Sequence, residues 1–539
     1  MKERMPEEEI YDACRRILNG ASDEIALTAI FLLVQTRQIL DRKKEAADDD
    51  RIYDLMLEQA ALQKMANPFS TMTDFIYAYR MLEDIGPVDL ESLLAMEYSK
   101  TSGSVHIPPE IFKMMEANFQ PDTEKVLVTE GQKFAPFLKR TVNTYPQCRF
   151  VITVQEPIYA AILRDIFQDY TNVVIEQTSI YRYEFLQQKF DLILSLPSFG
   201  TRNMVDENTE FICREYEMVA MENLLLHLSS NGRLAIIMPA KITFAGARVK
   251  ALRNFIQEMY SLEEISELPG GVFSKTGIKT YFLRIATGHT EDVTIKKYDF
   301  DNRKHNAHDE TRREMILRDE SFVVLSELAE QGDWNLDKLF ARQDEEWNRF
   351  MERGSRIRLR EVAQVFRGKN ISRKSDTGNV GVINISQLRD YDIDYGELEY
   401  IDGTERNIAN YFLEDGDVLL PARGTATRVA IFEKQDFPCI ASSNIIIIRP
   451  RQDLLSGVYL KMFLDSPLGG KILASAQQGT TVVNLSYRDL QEIEIPFLPL
   501  ETQKELADEY KKELKIYTEA VNAAENRWKT ALEKLQAML

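Results

Sequence analysis

Apolar positions along residues 1–100 recur at helical spacing. Ser22 stands as an N-cap before Asp23 and Glu24, just ahead of an apolar run over residues 25–34. That run is too short to cross a bilayer. The polar stretch DRKKEAADDD follows, and further amphipathic helices continue to about residue 100, so residues 1–100 are expected to form an N-terminal helical domain. From Lys125 the rhythm changes. KVLVTE, RFVITVQE, NVVIEQT, DLILSL and GRLAIIMP read as strands, with IYAAILRDIF, YEMVAMENLLLHLSS and VKALRNFIQEMY as helices between or after them. LEEISELP and TYFLRIATG continue the sheet. This alternation predicts a doubly wound α/β domain with a parallel sheet over residues 101–300.

Residues 301–355 are charged and mixed, ending in the helical LDKLFARQDEEWNRFMERG, and read as a connector. Residues 356–499 hold short strands and turns (GVINIS, GDVLLPARG, RVAIFE, SNIIIIRP, EIEIPF), which predicts a separate α+β domain. Residues 501–539 contain neither glycine nor proline. Leu514, Val521, Trp528 and Leu535 repeat every seven residues, with Tyr517, Ala524, Ala531 and Met538 between them. Such an a/d seam predicts a coiled-coil arm over residues 500–539. A single amphipathic helix packed on its own domain is the alternative.

Composition narrows the classes. The 539 residues suggest roughly two to four domains at about 150 residues each. The N-terminus, MKERMPEEEI, is charged and lacks the apolar stretch of a signal peptide. The four cysteines, Cys14, Cys148, Cys213 and Cys439, lie far apart and form no CxxC pair. A reduced, cytoplasmic setting is therefore expected, with no membrane, structural zinc or disulfide. His305 and His308 sit in the polar HNAHD, which reads as solvated linker rather than metal site. The formal net charge of −19 argues against a non-specific coat on nucleic acid. Residues 356–499, however, hold 17 basic and 19 acidic side chains, a balance of only −2. Any surface for DNA is expected there, built from placed contacts.

One stretch carries a chemical signal. FDLILSLPSFG runs from a buried strand into a tight loop. In amino-methylating DNA methyltransferases the equivalent stretch ends in Asn-Pro-Pro-Phe or Asn-Pro-Pro-Tyr; here the four residues are Leu196, Pro197, Ser198 and Phe199. Around it, GSVHIPPEIFKMM, KVLVTEGQKFAPFL, NGRLAIIMPAKITFAG and ISELPGGVFSKTGIKTYFL follow in order. Together they give residues 103–288 a resemblance to the catalytic domain of type I restriction-modification N6-adenine DNA methyltransferases. The resemblance implies S-adenosylmethionine held by small glycines after the first strand and by an acid after the second. Here Gly131 is followed by Gln132, Lys133 and Phe134, and the acid that heads the loop is replaced around Val128 or Thr129. Glu156 is the nearest candidate for the second acid, with Val154 in that place if the alignment is made on Pro157. In the family the Asn oxygen and a proline carbonyl accept hydrogen bonds from the adenine amine, and the aromatic residue stacks on the flipped base. The Leu196 side chain has no acceptor, and losing one preorganised polar contact costs on the order of 10²–10³ in rate. Phe199 is left to stack on a base or to fill the core or lip. The resemblance thus implies a methyltransferase shell with a degenerate catalytic motif (Leu196, Pro197, Ser198, Phe199), a degenerate cofactor motif (Gly131, Glu156) and no cofactor.

Downstream, RLREVAQVFRGKNIS, LEDGDVLLPARGTATRVAIFE, SNIIIIRP, YLKMFLDSPLGGKIL and QGTTVVNLSYRDLQEIEIPFLPLETQKEL resemble one target-recognition half of a type I restriction specificity subunit. The implied partner is double-stranded DNA. Three polar loops are candidates for contact. The first holds Arg367, Lys369, Arg373 and Lys374; the second Arg423, Thr425, Thr427 and Arg428; the third Gln477, Gln478, Thr480, Thr481 and Asn484. Arginine forks read guanine edges, while hydroxyls and main-chain amides hold phosphates. One recognition domain with one helix would read half of a bipartite site, completed by a homodimer or a heteromeric partner through the C-terminal helix. The leading expectation is a sequence-specific DNA-binding pseudo-methyltransferase in a restriction-modification-like, phage-defence or mobile-element complex. The alternatives are an active or partner-activated S-adenosylmethionine-dependent N6-adenine DNA methyltransferase, and a specificity or regulatory subunit that recruits a separate catalytic subunit.

Overall fold

The computed structural model describes residues 6–43, 47–100, 106–200, 211–273, 277–301, 314–352, 355–371, 378–389, 392–396, 398–403, 408–422, 429–478, 484–485 and 487–536. They fall into two compact units, Met1–Trp334 and Asn335–Leu539.

Helices α1 (Pro6–Ile17), α2 (Asp23–Lys43), α3 (Asp49–Leu62), α4 (Met72–Ile85) and α5 (Leu90–Lys100) open the first unit. Ser22 caps α2 as expected, its Oγ accepting from the Ile25 amide at 3.4 Å. The polar stretch after α2 supplies the next cap, where the Asp48 side chain accepts from the Arg51 amide. Residues 29–34 of α2 are buried without a break, so this helix has no solvent stripe there and sits inside its layer. The helices were expected as a domain of their own. Instead their buried residues join those of the first strands in one core, and Gln35 donates to Asp165 at 2.6 Å.

The α/β part follows: α6 (Pro109–Glu116), β1 (Lys125–Val128), α7 (Ala135–Thr144), β2 (Arg149–Val154), α8 (Pro157–Ile166), β3 (Val173–Gln177), β4 (Phe190–Ser195), α9 (Tyr216–Leu225), β5 (Leu228–Pro239), α10 (Lys241–Phe244), α11 (Ala247–Met259), β6 (Ser261–Glu267), β7 (Thr280–Ala286), β8 (Asp292–Phe300), β9 (Met315–Val324) and α12 (Leu325–Gln331). The strand order is β3-β2-β1-β4-β5-β7-β6-β8-β9. Strands β1 to β5 pair in parallel, as expected. The expectation of a wholly parallel sheet is corrected beyond β5. The crossover through α11 sets β6 one place away from β5, and β7 returns without a helix to fill the gap, antiparallel to both. Two further corrections concern boundaries. The helix read through LLLHLSS ends at Leu225, and β5 begins at Leu228. The connector expected over residues 301–355 also divides, because β9 pairs with β8 at the end of the sheet while residues 335–352 belong to the second unit.

The second unit holds α13 (Leu336–Arg342), α14 (Glu345–Glu352), β10 (Arg356–Arg358), α15 (Leu359–Val362), β11 (Ala363–Arg367), β12 (Val380–Ile383), β13 (Glu399–Ile401), β14 (Val418–Pro421), β15 (Ala430–Ile431), β16 (Cys439–Ala441), β17 (Ile445–Pro450), α16 (Gly457–Asp465), α17 (Pro467–Ser475), β18 (Gln477–Gln478), β19 (Asn484–Leu485), α18 (Tyr487–Glu492), β20 (Glu494–Pro496) and α19 (Leu500–Gln536). Sheets of order β11-β17-β14-β15 and β13-β12-β16 carry the α+β body. The apolar run of β17 serves two cores. Ile446 and Ile448 face the helices, while Ile445 and Ile447 face the side that holds Leu419 and Ile383. The long helix α19 is rooted by Gln503, which is fully buried and bonded to Leu454, Leu498 and Ser456. Farther along, the expected seam is open: Val521, Trp528 and Leu535 are 37%, 63% and 58% exposed, and Met538 lies outside the described residues. Among the described residues no helix is long and apolar enough to cross a membrane.

Gly232 marks the irregularity where β5 skips register against β4. A Cβ there would stand 2.6 Å from the Phe190 carbonyl oxygen and 2.8 Å from the Ser229 nitrogen. Gly232→Ala is therefore expected to destabilise this strand pair by about 1–3 kcal/mol. Hydrogen exchange checks it: amides of β4 and β5 should exchange faster while those of α16 and α17 keep their rates.

Candidate functional site

Chemistry in a doubly wound sheet gathers at the carboxyl ends of its strands. At the end of β1, Thr129 donates to the Ser195 hydroxyl at 2.8 Å, so the loops after β1 and β4 leave the sheet side by side. Glu130 then turns left-handed (φ 49°), and residues 131–134 form one tight 3-10 turn leading into α7. Gly131 has to be glycine here, because a Cβ would stand 2.3 Å from Ile152 Cγ2 on β2. An acid, Glu130, stands at this turn, one residue after Thr129.

Lys133 carries the arrangement. It is 3% exposed, and its ammonium meets Glu130 Oε2 at 3.0 Å, the Leu196 carbonyl oxygen at 2.8 Å and Ser198 Oγ at 3.0 Å. Three donors thus find three acceptors. Ser198 Oγ donates to Glu130 Oε1 at 3.0 Å, and its amide donates to the Tyr181 hydroxyl at 2.9 Å. Tyr181 donates in turn to Glu130 Oε2 at 3.0 Å and stacks on Tyr216. Burial pushes the Lys133 ammonium below its ordinary range, opposed by the neighbouring Glu130 carboxylate, and pushes the Tyr181 hydroxyl well above its own. The loops after β1 and β4 are thereby tied together by a closed polar network.

The remaining residues of the two motifs play unlike parts. Leu196 and Pro197 are buried, and Phe199 packs half-buried against the main core. Glu156 stands between β2 and α8, and its Oε2 is buried without a hydrogen-bond partner. Sequence reasoning missed Tyr181 and the pairing of Glu130 with Lys133. The i, i+3 acid–base spacing in EGQK was the available signal for the pair; nothing local marks Tyr181.

In the second unit the three polar loops share one root. The Gly368 amide donates to the Ile445 carbonyl and the Lys369 amide to that of Ala441, both at 2.9 Å. The Ala422 amide donates to the Asn444 carbonyl at 2.7 Å, and the Leu485 amide to the Ala422 carbonyl at 3.1 Å. Gly368 permits this approach, since a Cβ would stand 2.2 Å from the Ser442 carbonyl oxygen. Arg367 is exposed at the end of β11, and the Lys369 ammonium lies 5.8 Å over the Tyr411 ring. Gln478 and Asn484 pair across the ribbon of β18 and β19. Arg373, Lys374, Arg423, Thr425, Thr427, Arg428, Thr480 and Thr481 lie outside the described residues.

Two family models match the chain in tandem: N-6 DNA Methylase over residues 157–348 and Type I restriction modification DNA specificity domain over residues 354–524. A curated Methanocaldococcus jannaschii protein, named for the specificity subunit of the type I restriction enzyme MjaX, is 26% identical over 156 residues. The match covers 28% of this chain and 36% of that protein, so the chain spans little more than a third of this relative. Among solved structures, the methyltransferase subunit of a type I restriction-modification system from Streptococcus thermophilus is 14% identical. Its TM-score is 0.43, covering 61% of this chain and 98% of its own. The type IIG restriction endonuclease BpuSI is 12% identical with a TM-score of 0.45, covering 94% of this chain and 74% of its own. Both likenesses are too slight to bear on function.

The Glu156 carboxyl is pushed above its ordinary 4.5, chiefly by burial and further by the Glu130 carboxylate. The folded state therefore holds this proton more tightly than the unfolded chain does. Stability falls as pH rises from 4.5 through the raised value. Glu156→Gln removes that penalty. It is expected to melt above the parent protein near pH 7 and together with it near about pH 4; coincident melting at both would show that the carboxylate is not desolvated.

Proposed function

We propose that this chain, which belongs to the N-6 DNA methylase family over residues 157–348 and to the type I restriction modification DNA specificity family over residues 354–524, reads duplex DNA through its second unit and no longer transfers methyl groups in its first. It serves in a restriction-modification-like, phage-defence or mobile-element complex in the cytoplasm. The observation that carries the reading is the buried Lys133 ammonium. In the family's chemistry the loop after the fourth strand offers oxygens to the amine of the target base. Here the Leu196 side chain offers none in place of the asparagine oxygen, and the Lys133 ammonium is bonded into the same loop at the Leu196 carbonyl.

The residues do not fit S-adenosylmethionine. Its cationic sulfonium needs space and acceptors between the loops after β1 and β4. Lys133 occupies that junction with a cation of its own and uses both Glu130 and Ser198. Removing one partner of such a buried pair costs about 3–5 kcal/mol, so the plug does not swing aside cheaply. One observation favours the rival reading of an active or partner-activated methyltransferase. The unpartnered Oε2 of Glu156 stands after β2, where an acid would hold ribose hydroxyls. Calorimetry with S-adenosylmethionine on the full chain separates the two readings. No heat of binding is expected, and no methyl transfer to adenine-containing duplex; low-micromolar binding would establish the rival.

Partner choice falls to α19. A helix with Val521, Trp528 and Leu535 at heptad spacing gains by covering them with a second helix. That helix belongs to a second copy of this chain or to a separate catalytic subunit that the chain recruits. Either arrangement supplies the other half of a bipartite site. Placing Asp at both Val521 and Trp528 is expected to abolish association. Light scattering on the free chain and pull-down from its native host check this, and unchanged mass with unchanged capture would show that the arm serves its own domain alone.

A further inference from the structure

We infer that the turn joining β16 to β17, Ser442-Ser443-Asn444, is a fourth DNA-contacting element, and that Asn444 reads an adenine edge. This rests on the DNA-reading role proposed above. The turn lies where the roots of the three polar loops meet. Main-chain bonds from Gly368, Lys369 and Ala422 all end on residues 441, 444 and 445, and Lys369 runs beside Ser442 as an isolated parallel bridge.

Asparagine in a turn usually has a structural use: it tolerates a left-handed backbone, or its side chain bonds a nearby amide. Asn444 does neither. Its φ is not positive, and its exposed carboxamide makes no hydrogen bond to a described residue. Its carbonyl, by contrast, is used, accepting from Ala422 at 2.7 Å. The main chain is therefore fixed while the side chain is left for something else. Beside it, Ser442 Oγ is buried with no partner and Ser443 is half-buried. The Lys369 ammonium lies 5.8 Å over the Tyr411 ring.

A carboxamide presents one acceptor and two donors in a plane. That matches N6 and N7 of adenine in the major groove, and no other base edge offers the same pair. A neutral turn at the root of flanking polar loops suits base reading rather than bulk attraction, in keeping with the −2 balance of residues 356–499.

The test is selection from a random duplex library by the full-length parent protein, Asn444→Ala and Asn444→Asp, at two salt concentrations. The parent protein should select a site containing an adenine that Asn444→Ala no longer prefers, with discrimination at that position falling roughly ten- to a hundredfold. The other positions and the salt slope should stay unchanged. Asn444→Asp should turn the same position toward cytosine, whose amino group donates to a carboxylate. It also carries the test if the alanine variant melts early. Profiles identical to the parent protein's would overturn the inference, as would uniform weakening of all sequences with a shallower salt slope, which marks a phosphate contact. A parent protein that selects no sequence would overturn this inference and the DNA-reading role together, whereas a selective parent protein with indifferent variants overturns the inference alone.

Discussion

An ammonium buried in protein must find an acceptor for every proton, or desolvation outweighs whatever holds it there. Lys133 finds three, on two loops more than sixty residues apart in sequence. The first unit is arranged around that requirement. Glu130 takes up a left-handed backbone to bring its carboxylate under the ammonium, and Gly131 presses on Ile152 to make the turn tight enough. Ser198 is both acceptor and donor. Tyr181 closes the far side, bonded to Glu130 and to the Ser198 amide. Residues that look unrelated along the sequence are, in three dimensions, parts of one clasp between the loops after β1 and β4.

The second unit answers a different constraint. The roots of its polar loops are brought together by one rigid body. The main chain does this, through Gly368 against Ser442 and through Ala422 between Asn444 and Leu485. Because the bonds run through backbone groups, their side chains are not needed to place the loops, except at Gly368, where any side chain would collide with the Ser442 carbonyl.

Much of this was legible in the chain. The alternation from Lys125 onward is carried by strands buried on both faces, which leave continuous apolar runs, and β1 to β5 follow it. The cap at Ser22 and the length of α19 depend on local spacing and were read from it. What escaped depends on distant partners. Strand β9 has Arg318, Asp319 and Glu320 at its centre and reads as a charged connector until β8 lies beside it. The place of β7 between β5 and β6 follows from a missing crossover helix, which no local pattern records. Lys133 was legible as one of the residues that follow Gly131. Its partners Leu196 and Ser198 were not, because contact across two strand ends leaves no periodic trace.

Those same charges give β9 a second meaning. Among the described strands it is the outermost of the large sheet on its side, with Leu317, Phe322 and Val324 open to solvent. A bare margin of this kind invites another sheet to continue it. Two copies laid antiparallel about the midpoint of Met315–Val324 would set Asp319 of each against Glu320 of the other. Like charges would then face each other at the centre of the new seam, and the flanking apolar residues could not meet without bringing them together. The acids that hid this strand from a reading of the sequence thus stand where a second strand would have to pair, Glu320 held by Lys296 and Asp319 by Arg318.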